Sequence, residues 1–257
     1  MSVNFLSYYK MHRNQALPIK PEMRMSEVIL NNYYLILMLE HFGINLYVSE
    51  KTVEEICCEN NINPEVFLTF ANLFNGVKYS PKKEFSFEDL LIIINYLNNC
   101  HQYYLEEKCP QIHTCIQEMY EVDNQSDLLM VEKFFKEYEK EVTEHLNYET
   151  QTIFPYITSL FQKLKYQIPD VEINDYSVND YKEHHEDIEE KLSDLKNLLI
   201  RYLPVRDDQK IRRRLLFNLF ELENDLHVHS QIEDSILIPL VEKMEKQLRN
   251  NADDEEN

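Results

Sequence analysis

The sequence predicts an all-α protein: an up-down-up-down four-helix bundle preceded by a small three-helix N-terminal domain. Three observations carry this. Only Gly43 and Gly76 are glycine among 257 residues, which argues against folds built on many positive-φ positions, such as nucleotide-binding turns and turn-dense β sandwiches. From Ser86 onward four long amphipathic segments follow, at 86–120, 127–162, 178–203 and 208–248. Their joints, VDNQSD, KYQIPDVEIND and PVRD, make neighbouring helices antiparallel.

Residues 1–24 carry Pro18 and Pro21 without a sustained period and read as an N-terminal arm. The small domain, residues 25–80, opens with a helix from Ser26 that stops at Gly43, a residue suited to the left-handed C-terminal position. Thr52 with Glu55 forms a capping box for the second helix. Pro64 opens the third, which Gly76 ends. Residues 77–85, VKYSPKKEF, read as a linker to the bundle at 86–248, and 249–257 as a disordered acidic tail.

The 26 basic and 46 acidic residues leave a net charge of −20, which repels phosphate backbones and anionic lipid. Neither nucleic acid nor membrane is an expected partner. The longest apolar run, Leu90 to Ile94, is too short for a span, and the first residues lack the apolar centre of a secretory signal. Five cysteines, an odd number that includes the neighbours Cys57 and Cys58, read as reduced thiols. The expected location is cytoplasmic.

A helix that buries one stripe repeats its apolar positions at steps of three and four, so a polar residue in that register faces the core. The second long helix gives Phe135, Tyr138, Val142, His145, Glu149, Thr152, Tyr156. The fourth gives Leu215, Leu219, Leu222, Leu226, His229, Glu233, Ile236, Leu240. In the third, Val178, Tyr181, His185, Ile188, Leu192, Leu195, Leu199 and Tyr202 select His185 over His184. The first gives Phe87, Leu90, Ile94, Leu97, His101 and Leu105, then loses register near Pro110.

Counted from the end holding the first and third joints, the four imidazoles lie 18 to 21 residues along their helices, a spread of about 5 Å. Glu149 and Glu233 each follow a histidine by one turn. Buried carboxylates need cations or a metal, and no lysine or arginine occupies these seams near that level. Four imidazole nitrogens and two carboxylates suit a borderline metal such as iron, and two bridging carboxylates suggest a pair of ions. A lone buried histidine is more often a hydrogen-bonded core residue, and one His-x-x-x-Glu match is expected by chance. Four seams meeting at one height outweigh that reading.

Other groups are set aside. His113 lies one position off its seam, where Pro110 could turn it inward. His184 and His227 face away, and Tyr138, Tyr148 and Tyr181 are either core or hydrogen-bonding partners of the ligands. Cys100 reads as a small buried hydrophobe and IRRRLL as a solvated basic strip. No hydrolase-type nucleophile, base and acid can be assembled.

The segments HQYYLEEKCP from His101, HLNYETQTIFP from His145, HHEDIEEKL around His185 and HSQIEDSILIP from His229 resemble the repair-of-iron-centres family, di-iron proteins with a hemerythrin-like bundle. The resemblance spans about residues 86–245. It implies one iron held by His101 and His229 and another by His145 and His185, with Glu149 and Glu233 bridging beside an oxo or hydroxo group. The oxygen-carrier hemerythrins have further histidines that this chain does not supply. The N-terminal stretch HFGINLYVSEKTVEEICCENNINPEVFL resembles the small domain preceding the bundle in longer family members. That domain's loop normally holds adjacent cysteines and glycines; here it reads LYVS, and Cys57 and Cys58 fall inside a predicted helix.

The function so implied is repair or protection of iron–sulfur clusters damaged by nitric oxide or oxidative stress, with iron–sulfur proteins as clients and O2, NO or peroxide as the small ligand. The alternative is a module that senses or stores oxygen, nitric oxide or iron without turnover. A homodimer is left open.

Overall fold

The computed structural model describes residues 17–122, 126–166, 177–178, 181 and 189–255. The chain divides into two compact units between Phe85 and Ser86. The described residues are helical throughout, and their one β pairing is an isolated bridge between Arg24 and Thr52.

The first unit holds α1 (Met25–Asn31), α2 (Leu35–His41), α3 (Val53–Glu59) and α4 (Pro64–Phe74). The single helix expected from Ser26 to Gly43 is therefore two. Asn32 is extended, its Oδ1 accepts from the Tyr34 amide at 3.2 Å, and its Nδ2 donates to the Phe74 carbonyl at 3.0 Å. An Asn side chain that bonds nearby backbone offers the chain an alternative to helix. The Thr52–Glu55 capping box is present, and Asn63 caps α4 by accepting from the Glu65 amide at 3.0 Å. Buried Asn72 exchanges two hydrogen bonds with the Ile19 backbone, anchoring the end of the N-terminal arm.

Both glycines do the same work. The amide three residues past the end of α2 reaches back from Ile44 to the Leu39 carbonyl at 2.8 Å, and that past α4 from Val77 to Asn72 at 2.9 Å, around Gly43 and Gly76 in the left-handed region. Asn61, at φ 54, closes α3 in the same way. A β-carbon at Gly43 would meet nothing within 4 Å, so Gly43→Ala carries the backbone penalty alone, about 1 kcal/mol. A lower urea midpoint, largely recovered by Gly43→Asn, is the expected outcome.

Cys57 and Cys58 both lie in α3 as reduced thiols, the first buried and the second exposed. Burial, reinforced by Glu54, pushes the Cys57 thiol up to about 12. Iodoacetamide at pH 8 is expected to label Cys58 in the native protein and to reach Cys57 only after denaturation, as peptide mapping would show.

The second unit is a bundle of four long helices. The first comprises α5 (Asp89–Gln102) and α6 (Cys109–Val122); the second, α7 (Ser126–Tyr148) and α8 (Phe154–Tyr166). The third contains α9 (Glu189–Asn197), and the fourth α10 (Gln209–Ile232) and α11 (Ile238–Glu255). Partners run in opposite senses along each neighbouring pair. His113 meets Glu139 and His101 meets Thr150; Glu118 meets Arg214 and Lys108 meets Glu221; Lys196 meets Glu223 and Tyr181 meets Glu233. The order is thus up-down-up-down.

Three expectations change here. The acidic stretch from 249 continues α11 to Glu255, since nothing in NNADDE breaks a helix. Tyr202 is exposed, and Ile153 replaces Thr152 in the core, because wide π-helical turns at Leu198–Tyr202 and Glu149–Ile153 shift the seam. Arg212, read as part of a solvated strip, is buried: it donates to the carbonyls of Leu199, Leu203 and Pro204 and to Asp208. It fastens the joint between the third and fourth helices. No helix among the described residues is long and apolar enough to cross a membrane.

Candidate metal centre

The seams of the first, second and fourth helices deliver their polar residues to one buried layer. Glu149 and Glu233 are 0% exposed, and His101 and His229 are buried. His101 Nε2 lies 3.3 Å from Glu149 Oε2, and His145 Nε2 lies 3.3 Å from Glu149 Oε1. His229 Nε2 lies 3.4 Å from Glu233 Oε2, and the His101 and His229 rings are 5.0 Å apart. Ligand atoms of His101, Glu149 and His229 fall within 4.8 Å of one another. His185, the residue selected from the third helix, and its neighbour His184 lie outside the described residues.

These contacts are close without being hydrogen bonds. Among the described residues, His101 Nε2, both Glu149 oxygens and both His229 ring nitrogens are buried with no hydrogen-bond partner, an expensive arrangement unless something else satisfies them. Donors about 2.1 Å from one ion and at right angles to each other are separated by about 3 Å. The donor set therefore fits a metal ion. The buried cations of this unit are occupied elsewhere: Lys108 pairs with Glu221 at 2.7 Å, Lys196 with Glu223, and Arg212 with Asp208.

The charges agree with that fit. Burial and Glu233 both push the Glu149 carboxyl up, but His101 and His145 outweigh them and hold it below its ordinary value. Burial pushes His101 down, toward the neutral imidazole that binds metals. At His229 burial acts downward too, yet Glu233, Glu149 and Asp225 raise it above the ordinary range.

Supporting contacts orient the layer. The Tyr181 hydroxyl donates to Glu233 Oε1 at 2.7 Å, resolving one of the tyrosines left open in favour of a ligand partner. Thr150 Oγ1 sits 2.9 Å from His101 Nδ1, and Phe154 stacks on the His101 ring at 5.4 Å. Tyr104 packs its edge against His229 at 5.8 Å. Thr150, Phe154 and Tyr104 all lie off the seams as read from sequence, within or directly after the wide turns. Of the remaining candidates, His113 bonds Glu139 at 2.6 Å and exposed His227 faces Gln231 at 3.1 Å. Cys100 is buried, and burial holds its thiol well above the ordinary value.

No curated protein matches the chain. Residues 92–241, more than half of the chain, match the family described as hemerythrin HHE cation binding domain. That span contains all six polar residues of the four seams. By this match, and by a bundle whose core closes on histidines and glutamates, the chain belongs to the hemerythrin HHE cation-binding domain family.

Proposed function

We propose that the layer holds two iron ions, with His101, His145, His185 and His229 as nitrogen ligands and Glu149 and Glu233 as the carboxylates between them. The observation that supports it most is Glu149: a fully buried carboxylate with both oxygens facing imidazole nitrogens and neither hydrogen-bonded. Iron bound there supplies a redox-active Lewis acid with positions open to a diatomic gas or peroxide. The chain's own part is orientation: Thr150 engages His101 Nδ1 and leaves Nε2 toward Glu149, while Tyr181 donates to Glu233 and fixes its rotamer.

With iron in this layer, the protein protects or restores iron–sulfur proteins damaged by nitric oxide or oxidants, in the manner of the repair-of-iron-centres proteins its motifs resemble. Iron–sulfur proteins are its clients in this reading. A strain lacking the protein is then expected to recover the activity of an iron–sulfur enzyme several-fold more slowly after a nitric oxide pulse, with rescue by the wild-type gene and not by Glu149→Ala. Recovery at the normal rate would overturn the repair role and favour a sensor or store.

A further inference from the structure

Three prolines lie inside the described helices of the bundle and a fourth, Pro204, follows the end of the third helix; each comes after a wide turn. The π-helical turns are Tyr103–Lys108, Glu149–Ile153, Leu198–Tyr202 and Glu233–Leu237. The prolines are Pro110, Pro155, Pro204 and Pro239, each two residues past the end of its turn. In every case the residue before the proline donates its amide five residues back: Cys109 to Tyr104, Phe154 to Glu149, Leu203 to Leu198, Ile238 to Glu233. The cause is steric. Proline lacks an N–H, and inside a helix its ring collides with the carbonyl four residues earlier, here that of Glu106, Gln151 or Ser235, each inside its wide turn. Widening the turn moves that carbonyl aside.

In three of the four, the residue accepting that last wide bond belongs to the polar layer. Glu149 and Glu233 are the two carboxylates, and Tyr104 packs on His229. The second and fourth helices even share one spacing, His-x3-Glu-x5-Pro, at His145 to Pro155 and His229 to Pro239. A wide turn also changes what stands above the acid. Phe154 lies five residues beyond Glu149 yet stacks on His101, which also faces Glu149; in an ordinary α-helix it would lie about 140° around the axis from Glu149.

We infer that Pro155 and Pro239, with Pro110, are positioning residues of the metal layer, each forcing the wide turn that sets a layer residue's backbone and places its upper neighbour. This rests on the metal reading for its purpose but not for its geometry. Pro204 is the comparison: it follows the wide turn at Leu198–Tyr202 but lies outside the helix, after the extended Leu203.

The test compares Pro155→Ala, Pro239→Ala, Pro110→Ala, their triple combination and Pro204→Ala in the full chain. Metal-free crystal structures show the turn, anaerobic ferrous titration gives affinity, and circular dichroism with thermal melts reports folding. Pro155→Ala is expected to bond Phe154 to Thr150 in place of Glu149, and the layer variants to lose at least about tenfold in ferrous affinity while remaining helical and cooperatively folded. Pro204→Ala, outside the helix, should leave its preceding turn unchanged and bind ferrous iron like the wild type. A wide turn that persists in metal-free Pro155→Ala overturns the inference, as does wild-type affinity in the triple variant or an equal loss in Pro204→Ala. A wild-type protein that takes up no ferrous iron would overturn the metal reading and the purpose assigned to the turns. The metal-free structures would still decide whether proline makes them. Single variants keep the test decisive should the triple variant fail to fold.

Discussion

Replacing Glu149 with glutamine is expected to remove most of the bound metal and to lower the stability of the metal-free protein at neutral pH. Both halves follow from one position. Glu149 is the carboxylate nearest to two imidazoles, at 3.3 Å on each oxygen, so its loss weakens both proposed iron positions together. Without metal its charge is buried beside Glu233, but His101 and His145 hold its carboxyl below the ordinary value, so the ionised form stabilises the fold at neutral pH and a neutral amide gives that up. Metal content should fall at least about tenfold, on the scale of lost ligands and their supports, and the metal-free melting temperature at neutral pH should fall. His229→Ala is expected to lose metal likewise, whereas His227→Ala, on the exposed face, keeps it. Equal loss in all three would show that the inward register is misread.

Arg212→Ala should be the most destabilising single change away from the layer, at about 3–5 kcal/mol. The guanidinium is buried, holds three carbonyls and bonds Asp208 through Nε and Nη2. Its removal strands a buried carboxylate and the carbonyls that end the third helix. Arg212→Lys should recover only part of the loss, because one ammonium cannot reproduce the planar fork. Urea denaturation checks the magnitude. Because the joint lies at the end of the bundle, metal content at low temperature should be close to that of the wild type.

The seam of the fourth helix was legible residue by residue: Leu215 through Leu240 are all buried, with His229 and Glu233 among them. Its legibility comes from an unbroken stripe on both sides of the polar pair. The first and second helices were readable up to the acid or histidine and then went out of phase, at Leu105 and Thr152, because a 3.6-residue period carries no provision for a turn with one extra residue. The sign was present as proline, which was read only as a local disturbance. Two further misses share a cause. Asn32 ended a helix and Arg212 closed a joint through side-chain bonds to backbone carbonyls, and such bonds leave no trace in hydrophobic periodicity. In the third helix Val178, Tyr181, Leu192, Leu195 and Leu199 are buried as its pattern has them and Tyr202 is exposed, while His185 lies outside the described residues.

Metal analysis of protein purified without chelators, read together with its near-ultraviolet absorbance, tests the central claim most directly. The account predicts about two iron ions per chain and an absorption band of an oxygen-bridged pair, both lost in Glu149→Gln. An iron-free protein that folds and melts as well as one supplied with iron would contradict it, leaving the buried glutamates without the ions that reconcile them.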